Sequence, residues 1–482
     1  MKEIPKPLGY GIAMSFFNLV LATSNAQDTD PHCINYDPSD RLIKITCKTA
    51  NLIDIDNQLN DTDILEKQSD PTDNNNSEVW FLNAHLEVAE GAEFTIDSGS
   101  TKWLKIHSAE ETAYHIDVFG SMKVDSVMIN SWNPEEETFD EFVESDPHPR
   151  PSIRIDKDAT GTTDITNSEL AYLGGGAGKS HGLSYYGGNG SIIRGNNIHH
   201  LEMGFYSEHV KYMLIENNDI HHNIKYGLDP HSGTHDMLIR KNVVHDNGFI
   251  GIICSQHCRN ITIEGNEVYN NEGTNIALSI DMQNSVVRNN YIHEEEPGHI
   301  GIAVATASNN NKIYDNIISN TNTGVGVGGG SSSNYIGNNI LLGVEGLSLH
   351  AKDYDAVNNI FENNLVFPSD RADRTVGHLY KNTGTIFRNN DIGSGGEYAE
   401  YRIGRNSTLN LENSKLSSEL KIRSDGSTNT LKVSNSGIIN VTDDDTTRTY
   451  NTDITPFSAK ISSREIFISP LSNISTSTEP IR

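Results

Sequence analysis

Between about residue 190 and residue 395 the chain alternates short apolar runs with polar corners, and the alternation is periodic. An apolar residue, two residues, an Asn, one residue and a second apolar residue recur around Asn196, Asn218, Asn242, Asn266, Asn290, Asn316, Asn339, Asn364 and Asn390. The intervals are 22, 24, 24, 24, 26, 23, 25 and 26 residues. A period of about 20–50 residues marks a solenoid or array, in which each unit buries its apolar face only against its neighbours. The windows lack the helical period of about 3.6 residues and the Leu ladder of leucine-rich repeats. β-branched residues in the runs, with Asn and Gly at the corners, predict an all-β chain with one coil of a right-handed parallel β-helix per repeat. A stacked Asn can bond the backbone at its turn and its own copy one coil away, so these asparagines read as structural.

A second column aligns with the first. Each coil opens a strand with Gly204, Gly227, Gly251, Asn275, Gly301, Gly324 or Gly346. The first and third residues that follow are mostly apolar, as in Ile252/Cys254 and Ile302/Val304, and point inward under the two-residue strand period. The second and fourth then face solvent on one wall. Early in the array they are Tyr206/Glu208 and Asp229/His231; later they become Ala277/Ser279, Ala303/Ala305 and Gly326/Gly328. The polar end of this wall is where chemistry is expected.

The array has ends of different character. Residues 1–26 read as an export signal, with Lys2 and Lys6 before an apolar run and small residues at Ser24 and Ala26. Residues 27–150 read as an N-terminal cap and first coils, with a Pro- and Glu-rich loop over Asn133–Pro151. Residues 151–395 form the parallel β-helix, and 396–482 a C-terminal β-rich cap or accessory segment. No later segment is apolar enough to span a membrane. Secretion, the periplasm or the cell surface is therefore the expected location, and a monomer the expected state. Cys33 and Cys47 are placed to close a short loop as a disulfide. Cys254-Ser255-Gln256-His257-Cys258 superficially resembles half of a zinc site, but no second pair stands at zinc-finger spacing, so buried thiols or a second disulfide fit better. Seven sequons, from Asn60 to Asn473, permit glycosylation.

Composition sharpens this picture. The 482 residues carry 65 Asp+Glu against 36 Lys+Arg, a formal charge of -29, and only 35% are hydrophobic. Low apolar content with 40 Gly fits a fold of many tight corners. Nothing offsets repulsion between this surface and nucleic-acid phosphates, so a nucleic-acid partner is excluded. A polyanionic substrate needs local cations, and His209, Lys211, Lys225 and His257 stand near His231 in the coils.

Ten of the 19 histidines fall between His181 and His257. His199, His200, His221, His222 and His245 follow the Asn corner of their coils and read as turn residues. His231 is the exception, on the outward wall. Asp229 and His231 share a face, with Tyr206 and Glu208 one coil earlier and about 4.8 Å away. Ser255, with Gln256 and His257 beside it, lies one coil later. An imidazole, a phenol and carboxylates suit proton abstraction and return at carbon, with His231 as base.

The string Tyr226-Gly227-Leu228-Asp229-Pro230-His231 resembles the Tyr-Gly-x-Asp-Pro-His motif of the mannuronan (alginate) C5-epimerases. The resemblance extends over roughly residues 120–345, through Ser168–Gly174, His181–Ser184, Gly204–Tyr206 and Gly251–Ser255, and more weakly to Arg150-Pro151. It implies a right-handed parallel β-helix that inverts C5 of D-mannuronate to L-guluronate within an anionic polysaccharide. On these positions it makes His231 the residue that takes or returns the C5 proton, with Tyr226 its partner on the opposite sugar face. Asp229 would then help to neutralise or orient the substrate carboxylate. Tyr206, Glu208, His209, Ser255, Gln256 and His257 are the expected substrate contacts.

The chain also departs from that family. Gln256 stands where similar epimerases carry an Arg, Ser232 replaces a residue that is often acidic, and a Lys used by some secreted members is not evident near Leu201. No dedicated metal site is expected; Ca²⁺ at the substrate carboxylate is a candidate ion, because its hard oxygen preference suits an acidic surface. The same groups would serve a β-eliminating polyuronate lyase if the C4 oxygen left first. A non-catalytic carbohydrate-binding or structural β-helix is the alternative from a different class.

Overall fold

The computed structural model describes residues 32–470, apart from 70–77, 110–111, 142–147, 176–180, 296–297, 353–355, 370–374, 394–397, 444–445 and 462–464. The export signal expected over 1–26 lies outside the described residues. The chain is a right-handed parallel β-helix whose strands form three long sheets of 19, 16 and 16 strands. Each coil contributes one strand to each sheet. The coil of Leu228–His231, Leu238–Arg240 and Val243–His245 is representative. Apolar residues in register fill the interior: Ile215, Ile239, Ile263 and Val287 lie in one column of the second sheet and are fully buried.

The corner asparagines perform the expected task. Asn242 donates from Nδ2 to Asn266 Oδ1 at 3.0 Å and to the Ile215 carbonyl at 3.0 Å. Its own Oδ1 accepts from the backbone and the side chain of Asn218 at 3.0 and 2.9 Å. The pattern repeats from Asn196 to Asn390. Two shorter ladders, Asn223–Asn247–Asn271 and Asn311–Asn334–Asn359, occupy the other corners. Each side-chain amide satisfies backbone groups that would otherwise be buried without a partner at the turn, which explains why these positions hold Asn.

Both ends are closed. A helix over Leu52–Leu59, capped by Asn51, places Leu52 and Ile55 over the open apolar end. The antiparallel pair Ile34–Asp37 and Leu42–Ile45 lies beside it. The disulfide Cys33–Cys47 forms as the spacing allows, whereas Cys254 and Cys258 are buried thiols. At the other end parallel coils continue to Asn429–Ser434, past the point where the Asn period fades. Antiparallel strands such as Phe457–Ile461 and Glu465–Ser469 then terminate the stack. No helix among the described residues is long and apolar enough to cross a membrane.

The histidine cluster is mostly architecture. His199, His221, His245, Tyr269 and His293 occupy one column of the third sheet, with successive rings stacked 4.7–5.0 Å apart. Strand spacing fixes that distance, so flat rings in register stack without further design.

Candidate functional site

The strand Leu228–His231 pairs in parallel with Met203–Glu208, setting Tyr206 opposite Asp229 and Glu208 opposite His231. On the other side the described register to Ile252–Ser255 holds only Leu228 opposite Ile252. Pro230 has no N–H to give to a ladder, so continuous pairing is not available there. The Asp229-Pro230-His231 string thus sits at an interruption of the ladder between neighbouring coils.

The four wall residues come together, but they are less exposed than strand alternation predicts. Tyr206 is 6% and Asp229 2% exposed. Their neighbours on adjacent coils are bulky and close over them: the His181 ring lies 4.3 Å from that of Tyr206, Tyr186 6.1 Å and His231 5.5 Å. Ser255, expected on the open wall, is only 4% exposed. Alternation sets which way a side chain leaves the sheet; its neighbours decide whether it reaches solvent.

A chain of short contacts runs through the site. The Tyr206 hydroxyl donates to Glu208 Oε1 at 2.5 Å and stands 3.4 Å from His231 Nδ1. His231 Nδ1 also lies 2.8 Å from the Ser232 hydroxyl. With its proton on Nδ1 the ring donates to Ser232 and keeps a lone pair on Nε2; in the other tautomer the Ser232 hydroxyl donates to Nδ1. Burial lowers the His231 pKa, with His181 adding to the effect and Glu208 opposing it, so the ring is neutral at pH 7. Ser232, which departs from the family's acidic preference, is therefore what holds the imidazole.

Asp229 has the most unusual environment. Its Oδ1 is buried and has no hydrogen-bond partner among the described residues. Burial, with the charge of Glu208 added, pushes its carboxyl up to about 8. At neutral pH it is mostly a protonated acid, able to donate a hydrogen bond. Tyr206 is held protonated by burial and by its bond to Glu208.

The remaining expected residues scatter. Tyr226 precedes the strand, its ring 5.7 Å from Phe249, and no hydrogen bond or ring contact joins it to His231. Burial raises its phenol pKa, and the charge of Asp229 adds to this. Asp229 is thus within electrostatic reach of Tyr226 as well as of Glu208. His209 leaves the wall at a corner with φ 55° and lines a neighbouring cleft. Gln256 and His257 form a corner with φ 58° and 66°. The His257 side chain is 71% exposed and bonded to Asp281 at 2.8 Å. The expected gathering of cations does not form: Lys225 is bound to Glu202 at 2.7 Å, and Lys211 lies near the Tyr212 ring.

Residues outside the sequence expectation complete the surroundings. His181 bonds Glu202 at 2.9 Å, and Glu202 also receives Lys225. Burial alone would raise the Glu202 pKa, but these two partners hold it below the usual range. Arg150, part of the weak resemblance, is buried and donates to the carbonyls of Gly174 and His200, so it braces the loop before the site. No cluster of three or more His, Cys, Asp and Glu side chains able to hold a metal ion occurs among the described residues.

Comparison with known proteins agrees with this architecture. Residues 181–341 match the family model described as "Right handed beta helix region". No curated protein sequence matches the chain. Crystal structures of the periplasmic alginate epimerase AlgG superpose with a TM-score of 0.61 at 20% identity, covering 78% of this chain and 85% of that one. The A-module of the Azotobacter vinelandii mannuronan C-5 epimerase AlgE4 is more distant, with a TM-score of 0.36 at 15% identity over 65% of this chain and 88% of that one. The AlgG match, at 20% identity, shows a shared fold.

Proposed function

We propose that the protein is a polysaccharide-modifying enzyme that inverts C5 of uronate residues within a polymer, of the β-D-mannuronate to α-L-guluronate type. The observation that carries this reading is the register that sets Tyr206 and Glu208 against Asp229 and His231, joining a neutral imidazole to a buried, protonated carboxyl. A proton on the carbon next to a carboxylate is weakly acidic, and its removal places negative charge on that carboxylate. Catalysis needs a base at the carbon and a donor at the carboxylate. In this reading His231 Nε2 takes the C5 proton while Asp229 donates to the substrate carboxylate. Tyr226 returns a proton to C5 from the opposite sugar face. Imidazolium and phenolate then exchange protons with solvent, which restores the starting state.

The absent Arg at Gln256 acquires a rationale here. A neutral Asp229 adds no repulsive charge, so the substrate carboxylate can be met by a hydrogen bond rather than a cation. No step is routed through Ca²⁺. Secretion, the periplasm or the cell surface remains the proposed location, as an extracellular polymer substrate requires, and a monomer the proposed state.

The test is incubation of poly-mannuronate with purified protein in D₂O, followed by NMR. Deuterium at C5 with guluronate signals and intact chains is the expected result. Unsaturated chain ends would assign a lyase instead. Polymer binding without either reaction would assign a binding module, and the proposal would fail.

A further inference from the structure

Beside the His231 wall, towards the N-terminal coils, lies a cleft of about 510 Å³ lined by Phe119, Arg154, Lys157, Tyr186, Glu208 and His209 among others. Its volume falls within the range of small-ligand clefts. Nothing in the proposed chemistry uses it, yet it is continuous with the site, because Glu208 lines the cleft and also receives the Tyr206 proton.

Strand register fixes the spacing. Arg154 stands opposite Ser184, and Ser184 opposite Tyr206, which itself stands opposite Asp229. Arg154 is thus three strand spacings from Asp229, about 14 Å along the helix axis. Ser184, between them, is small and fully buried, so it raises no barrier.

Arg154 is held in place for recognition. Its Nε and NH2 bind Asp117 at 2.6 and 2.7 Å, which fixes the plane of the guanidinium. Its NH1 makes no hydrogen bond among the described residues. A planar cation with one edge locked and one edge unused suits a carboxylate. Two of the three lining acids are engaged by side chains, Asp117 by Arg154 and Glu208 by the Tyr206 hydroxyl, and the third, Asp156, accepts from the Asp158 N–H. Tyr186 and Phe119 supply aromatic surface, and Asp156 and His209 supply polar groups for sugar hydroxyls. Across the Pro230 break the column continues as Ala277, Ala303 and Gly326, which carry no charge, and turns polar again only at His350, His378 and Arg402, several coils away.

We propose that this cleft is a subsite for a second uronate residue of the same polymer, its carboxylate held by Arg154 and its ring beside Tyr186. The inference rests on the polyuronate reading above and adds to it that the polymer is gripped on the N-terminal side of the reacting residue. The subsite supplies binding along the chain rather than chemistry.

The test is calorimetric titration of the full-length protein and its variants with mannuronate hexamer and dimer, alongside kinetics on poly-mannuronate. Arg154→Gln should weaken hexamer binding about tenfold and raise KM similarly, as loss of a charged carboxylate contact implies. The dimer, too short to reach both sites, should bind as to the parent, and kcat should hold. Lys157→Gln, an exposed position with little influence on folding, should weaken hexamer binding about threefold and more at low salt. Hexamer affinity and KM unchanged in both variants would overturn the subsite, even where the parent exchanges C5. Arg154-dependent hexamer binding by a parent that never exchanges C5 would uphold the subsite and sink the catalytic reading.

Discussion

Two neighbouring stretches of the first sheet's outer wall have the same backbone and opposite chemistry. From Arg154 to His231 the wall carries a guanidinium, a phenol, two carboxyls and an imidazole. From Ala277 to Gly326 it carries methyl groups, hydroxyls and hydrogens. Both stretches pair in parallel and both rest on the Asn ladders. The fold is therefore complete without the polar stretch, which includes groups a stability argument would not place there. Asp229 leaves Oδ1 buried and without a partner among the described residues, and Pro230 removes a donor from the ladder. Such departures from local rules cluster where a protein needs chemistry rather than stability.

Substitutions can test how sharp that division is. The largest effect is expected at His231: His231→Ala should lower C5 proton exchange by about 10²–10⁴-fold, the usual scale of a general base, with the melting temperature nearly unchanged. A loss of folding with it would mean that the polar stretch is structural after all.

Asp229 should separate charge from hydrogen bonding. Asp229→Ala removes the donor and should cost about a hundredfold in exchange rate. Asp229→Asn keeps a neutral donor and should retain most activity. The parent should lose activity as pH rises through about 8, where the carboxyl ionises, and Asp229→Asn should not. Stability follows the same sign. A carboxyl raised from 3.8 to about 8 favours the fold at low pH, and that contribution is lost as pH climbs through this window. The stability gained by Asp229→Asn should therefore grow between these pH values, as thermal melts would show.

The opposite signature is expected from the ladder. Asn242→Ala removes the acceptor of the Asn218 backbone and side-chain amides and the side-chain donor to the Ile215 carbonyl. It should cost about 2–4 kcal/mol of stability by denaturant unfolding, with exchange kinetics intact below the transition. Ser232→Ala, which frees the His231 ring from its Nδ1 partner, should lower exchange about three- to tenfold. On the bland stretch, Ala303→Ser should change activity less than about twofold. A larger change there would show that the wall acts along its whole length.

The architecture was largely legible in the sequence because a solenoid writes its rule once per coil. Asn196 to Asn390 announce the ladder, and β-branched residues between corners announce strands. The ladders at Asn223 and Asn311 are shorter and their spacing overlaps the first, so one period masked the others. At the site, register followed from the aligned glycines, which put Glu208 beside His231. Exposure did not follow, because the crowding around Tyr206 comes from His181 and Tyr186 on coils of different corner length. Arg154 went unnoticed because it precedes the regular array, where no period places it in the same column as Tyr206. His257 and Lys225 seemed to offer charge to the wall, but acidic partners, Asp281 and Glu202, take them. Sequence proximity carries no information about such pairing.

The central claim is that proton transfer at C5 occurs on the polar stretch of the wall and depends on His231. The most direct measurement is the rate of deuterium incorporation at C5 of poly-mannuronate in D₂O, for the parent and His231→Ala side by side at neutral pH. The account predicts measurable incorporation by the parent and a fall of at least about a hundredfold in the variant. Equal rates in the two proteins, or no incorporation by the parent, would contradict it.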